Sequence, residues 1–166
     1  FIRVISIYSK FLPLVEDKYL NNKMTKEIPI ANWPEDGKGK VIQLYVDDKP
    51  YLRFWKIDIH AFVMKGVKPP RHSELLEDLL DEMRIPFQWL DSKNPLPALS
   101  GKNYRCVGMG YFNVDEENEL LIKFSGKSGE YRIGMDQKHL DDIVKLCPWM
   151  DLRSRQMTNG KQVYTG

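Results

Sequence analysis

Asp58 and His60 stand two residues apart in a stretch rich in β-branched side chains, Ile57-Asp58-Ile59-His60. On a strand, residues i and i+2 share a face, so a carboxylate and an imidazole would point the same way there. That pair is the chain's best candidate for acid–base work or metal ligation, with His72 as a third member. The competing reading is a solvated strand face. The three histidines, His60, His72 and His139, are scattered, and neither Cys106 nor Cys147 belongs to a Cys-x-x-Cys pair, so no metal or cofactor is implied. Glu119 and Lys123 resemble part of a phosphodiester-cleaving set, but as an incomplete fragment they are read as structural.

Known phosphate-binding signatures fail on spacing. Gly126-Lys127-Ser128 lacks the glycine that a P-loop places five positions before its second glycine, since residue 121 is Leu, and the segment joins two strands. Gly108-x-Gly110 lacks the third glycine and the following helix of a dinucleotide fingerprint. No Gly-x-Ser-x-Gly elbow is present.

Charge patterning is more informative. Net charge is +2, from 25 basic and 23 acidic residues, but the charges are unevenly placed. Between Lys38 and Arg71 eight bases face three acids, whereas residues 73–83 hold five acids and no base. Basic residues recur in short glycine-containing segments: Lys38 and Lys40 around Gly39, Lys102 after Gly101, and Lys127 after Gly126. The tail adds Arg153 and Arg155. Ammonium and guanidinium groups carried this way suit phosphates. The nearby aromatics Tyr51, Phe54, Trp55, Tyr104 and Tyr131 include candidates for base stacking. Ordinary solvated turns and core aromatics are the alternative. A second surface is acidic: Glu74, Glu77, Asp78 and Asp81, with Trp89 beside the Pro-rich loop Asn94–Pro97. It would suit a protein partner, as in an adaptor or inhibitor.

The elements that position these residues follow from periodicity. Apolar groups at Phe1, Val4, Tyr8, Phe11, Val15 and Tyr19 have helical spacing, interrupted by Pro13. A β-hairpin is expected over 41–64, with strands Val41–Val46 and Tyr51–Met64 and Val46 opposite Tyr51. Ser73 is the expected N-cap of a helix to Met83 with Leu75, Leu76, Leu79 and Leu80 buried. A three-stranded meander is expected over 104–135: Tyr104–Val114, Glu119–Phe124 and Glu130–Met135, with Phe124 opposite Tyr131. Cys106, Gly108 and Gly110 share a face where a neighbour can approach closely. Asp136 should cap a last helix, with Met135 and Leu140 as a hydrophobic staple, and Asn159-Gly160 signals a hairpin turn.

Length and composition frame these expectations. A chain of 166 residues with seven Phe, eight Tyr and four Trp buries about 70% of its unfolded surface and folds without staples. The two cysteines are expected as free buried thiols, the usage of a reducing, cytoplasmic compartment. No run of 18 apolar residues occurs, so no membrane contact is expected. Residues 1–20 carry Lys10, Glu16, Asp17 and Lys18 and do not read as a signal peptide. The expectation is one α+β domain over 1–166, divisible into 1–70 and 71–166 with a tail at 151–166. It has two antiparallel β units and two to three packed helices. Its expected role is that of a non-enzymatic accessory factor contacting nucleic acid.

Overall fold

A computed structural model describes residues 27–91, 93, 95–158 and 161–165. The helical pattern read over residues 1–22 lies outside them. The elements are β1 (Lys38–Val46), β2 (Lys49–Lys56), α1 (Ile59–Lys65), α2 (His72–Glu82), β3 (Tyr104–Asp115), β4 (Asn118–Ser125), α3 (Gln137–Leu146), β5 (Asp151–Thr158) and β6 (Lys161–Thr165). One six-stranded sheet in the order β2-β1-β3-β4-β5-β6 holds both β units, giving the α+β class the sequence implied. All neighbours are antiparallel except β4 and β5.

Strand alternation sends apolar groups to both faces of the sheet. On one face Ile42, Leu44 and Met109 meet Leu75, Leu76, Leu79 and Leu80 of α2. Each fully buried leucine contributes roughly 1.5–3 kcal/mol, an upper figure because denatured chains already bury some surface. On the other face Val41, Leu52, Phe54, Phe112, Val114, Ile122 and Phe124 meet Leu140 and Ile143 of α3. Asp136 caps α3 as expected, accepting from His139 N at 2.8 Å, and Met135 and Leu140 are both buried in this second core.

A buried polar pin fixes α3 to the sheet. The Gln43 amide accepts from Asp136 N at 2.7 Å and donates to Asp136 O at 2.9 Å. His139 Nε2 lies 3.1 Å from Leu44 O, which only accepts, so Nε2 carries the proton and Nδ1 faces the Gln43 amide nitrogen at 3.3 Å. Gly108 leaves room for this contact, because a Cβ there would lie 1.8 Å from Gln43 Oε1. The close approach expected on the Gly108 face is therefore made by Gln43, but Cys106 does not share that face, because the register shift between Gln43 and Leu44 turns it into the core under α2.

Three expected elements are corrected. The first hairpin turns at Asp47-Asp48, both left-handed (φ 48° and 64°), so Val46 pairs with Lys49 and Leu44 with Tyr51. This two-residue loop shifts the expected register by two positions and keeps every side chain on its face. Pro50 is tolerated because β2 is an edge strand, covered over 30–32 by the Leu52 N–Ile30 O bond and by Asn32, which bonds Phe54 N and O.

Secondly, the strand expected to reach Met64 stops at Lys56. Asp58 accepts from Ala61 N at 2.9 Å, and Gly66 (φ 65°) closes α1 with its N–H directed at Ala61 O and Phe62 O. Cap chemistry at both ends overrides the β-branched composition between them.

Thirdly, residues 130–135 form no third meander strand. Arg132 (φ 58°) donates its N–H to Ser128 O in a turn, and Tyr131 OH donates to Pro97 O. Ile122 is flanked instead by Val114 and by Leu152 of the parallel β5, so the tail belongs to the sheet. A smaller correction concerns α2. Arg71 occupies its N-cap position, Glu74 reaches back to Arg71 N at 3.1 Å, and Ser73 is inside the helix.

Candidate functional site

α2 covers only part of its face of the sheet. Register places Trp55, Lys40 and Tyr111 in one row across β2, β1 and β3. The next row crosses β1, β3, β4 and β5 as Lys38, Asn113, Lys123 and Arg153. Side chains paired across strands point the same way, so both rows stand on the face that carries Ile42 and Met109 farther along. Trp55 is 41% exposed and Tyr111 37%. Lys38, Asn113 and Arg153 are exposed as well. At the strand spacing of about 4.8 Å, the two rings lie about 10 Å apart. An aromatic and basic surface is what this arrangement offers, with the Lys40 between the two rings half-buried beneath Pro70.

Packing holds the aromatic row in place. The Tyr111 ring meets the His72 ring edge-on, with centroids 5.4 Å apart. His72 is buried, its Nε2 donates to Gly110 O at 2.9 Å, and burial lowers its pKa. Gly126, in the left-handed region (φ 72°), passes so close to Tyr111 that a Cβ would lie 2.9 Å from the ring. Its neighbour Lys127 is exposed. Lys40 Nζ donates to Pro70 O at 2.6 Å, and desolvation by burial lowers its pKa. Lys40 therefore secures the segment leading into α2.

The remaining charges are paired, Lys123 in a largely buried contact and Arg153 in an exposed one. Lys123 pairs with Asp115 at 3.2 Å and Arg153 with Asp151 at 3.2 Å. The Arg153 and Asp151 side chains are 60% and 47% exposed, a pair worth at most about 1 kcal/mol and readily exchanged for a phosphate.

The other candidate residues sit elsewhere. Lys102 lies at the opposite end of the sheet, near Asp47, Asp48 and Arg105, and Arg105 stacks 4.5 Å over the Tyr45 ring. Arg155 belongs to β5, and its side chain lies outside the described residues. Asp58 is a helix cap, His60 is exposed on α1 and His72 is buried at the start of α2. The face expected for Asp58 and His60 does not exist, because they stand on a helix start and not on a strand. Among the described residues no group of three His, Cys, Asp or Glu side chains could hold a metal ion. Glu74, Asp78 and Asp81 are exposed on α2, Glu77 is half-buried, and Trp89 is 49% exposed. Cys106 and Cys147 are free and buried, and burial pushes the Cys106 thiol up to about 12. No helix among the described residues is long and apolar enough to cross a membrane.

Of the five aromatics singled out in the sequence, Phe54 and Tyr104 fill the cores, Tyr51 and Tyr131 are half-buried, and Trp55 reaches solvent. Tyr111 was missed, and Lys123 was weighed only with Glu119 and read as structural. Their signal was the alternation in β3 and β4, which puts them on the side away from Phe112, Val114, Ile122 and Phe124. No protein-family model matches the chain, and no curated protein matches it in sequence.

Proposed function

We propose that the chain is a non-enzymatic accessory factor that binds single-stranded nucleic acid across the open part of its sheet. Trp55 and Tyr111 stack on bases, while Lys38, Lys123, Lys127 and Arg153 contact phosphates. The supporting observation is the row of two exposed rings on β2 and β3, either side of β1, with a basic row beside it. A sheet presents rings side by side at fixed spacing, and stacking on π-faces tolerates any base. Duplex DNA keeps its bases stacked inside and offers this face only phosphates, so single strands are preferred.

The test is fluorescence anisotropy with labelled single-stranded RNA and DNA and with duplex DNA over a salt series. Four phosphate contacts on a single strand give a log K against log[salt] slope of about −2.8, and each neutralised base removes about 0.7. Lys38→Ala and Arg153→Ala should each reduce the slope, whereas Lys102→Ala should leave it unchanged. Absence of binding at low salt would discard the proposal. A protein-binding adaptor is then the second reading, favoured by the exposed acids of α2 and the exposed Trp89 and Leu90.

A further inference from the structure

α1 buries none of its residues. Ile59, Phe62, Val63, Met64 and the following Val67 are 47–69% exposed on one short helix and its exit, and Ile59, Phe62 and Val63 share one face of it. Monomeric proteins rarely leave such a contiguous apolar patch in water without a partner. Lys65 and Lys68 are exposed on the same segment, and among the described residues neither forms an ion pair.

Beside α1 lies an open groove of about 1010 Å³ at the end of β1, β2 and β3. Its wall carries five acids, Glu35, Asp36, Asp58, Asp115 and Glu116, and two bases, Lys38 and Lys56. Asp36 is paired with Lys56, Asp115 with Lys123, and Asp58 caps α1, which leaves the exposed Glu35 and Glu116 against the single exposed Lys38, so the groove stays net acidic. The molecule thus presents a basic apolar projection and an acidic groove next to each other. The groove wall also includes Ile57 and Ile59, the residues that begin the projection.

We infer that a second copy of this chain occupies the groove, with the two α1 helices exchanged about a two-fold axis near Asp58. In such an isologous contact each copy gives and receives the same pair of surfaces. The apolar side chains of α1 leave water, and Lys65 and Lys68 meet Glu35 and Glu116 of the other copy. A lipid surface would accept the helix too, but it would leave the acidic groove empty and place its carboxylates near anionic headgroups.

Sedimentation equilibrium of the full chain tests this. The wild type should form a dimer. Val63→Glu should raise the dimer dissociation constant about thirty-fold, the effect of losing one apolar anchor at an interface centre. Lys65→Glu with Lys68→Glu should weaken the dimer, as should Glu35→Lys with Glu116→Lys, and combining all four should restore it. A photocrosslinker at position 64 in a mixture of isotopically light and heavy chains should join α1 of one to the groove of the other. A monomeric wild type would overturn the inference. So would a crosslink to residues 1–26 of the same chain, binding to anionic vesicles as a monomer, or a dimer that the fourfold reversal leaves broken.

Discussion

Removing the Trp55 ring separates stacking from charge. Base–aromatic stacking contributes about 1–3 kcal/mol per base. Trp55 is 41% exposed, so one side of a large ring is available. About 1.5–2 kcal/mol is a fair share, which makes Trp55→Ala about 10- to 30-fold weaker for single-stranded RNA. Tyr111 is smaller, 37% exposed and already engaged at its edge by His72. Tyr111→Ala should therefore cost about 1 kcal/mol, or about fivefold. The rings stand about 10 Å apart across β1, far enough for the losses to add, so the double variant should bind about 50- to 150-fold more weakly. The salt slope should stay at its wild-type value, because no phosphate contact is lost. Trp89 and Trp149 are more exposed, at 49% and 61%, but stand off the row. Their alanine variants should bind as wild type does. Anisotropy titrations of these five proteins decide the matter. Wild-type affinity in the double variant, or a larger loss in Trp89→Ala or Trp149→Ala, would refute the platform.

Three further outcomes follow from the packing. Gln43→Ala removes three hydrogen bonds at about 1 kcal/mol each and leaves the Asp136 N–H without its side-chain acceptor, so urea denaturation should show a loss of about 3–5 kcal/mol. An unchanged midpoint would mean that the pin is not formed. Acid should destabilise the fold in two stages. Burial lowers the pKa of His139 and of His72, so the unfolded chain takes up protons first as pH falls through about 6.5, and stability declines from there down to the folded-state values. Asp142 is held down to about 2, first by the Tyr45 hydroxyl and then by Lys138, and its contribution is lost as pH falls from its ordinary value of 3.8 through about 2. Melting temperature against pH checks both stages, and His139→Gln should flatten the upper one. Asp58→Ala should cost about 1 kcal/mol of α1 alone, lowering hydrogen-exchange protection over 59–65 about fivefold. Because α1 buries nothing within its own chain, the global unfolding midpoint should not move at protein concentrations where the chain is monomeric.

Local signals were legible in the sequence and long-range pairings were not. Asp136 with its Met135–Leu140 staple, the leucine stripe of α2 and the β3–β4 hairpin all rest on neighbours in sequence, and each stands where its pattern put it. Asp58 and Gly66 cap a helix where the β-branched residues between Ile57 and Val63 had implied a strand. The parallel pairing of β4 with β5 joins Leu121 to Asp151 across the whole of α3. Nothing in the polar run Asp151–Thr158 declares such a partner. The candidate site suffered likewise. Lys38 and Arg153 were found by charge, but only the register across four strands shows that they share a row with Lys123. Tyr111 reaches solvent because α2 begins at its edge, with His72, and the boundary of that helix on the sheet is a tertiary fact. Lys102 looked equivalent to Lys127 by composition, and the fold puts it at the far end of the sheet.

The central claim is that single-stranded nucleic acid lies on the Trp55–Tyr111 row. Ultraviolet crosslinking of a bound oligouridylate, followed by peptide mapping, reads that contact directly. Crosslinked peptides containing Trp55 and Tyr111, with none at Trp89 or Trp149, are the predicted result. Crosslinks confined to Trp89 or Trp149, or to the peptide around Lys102, would contradict the account.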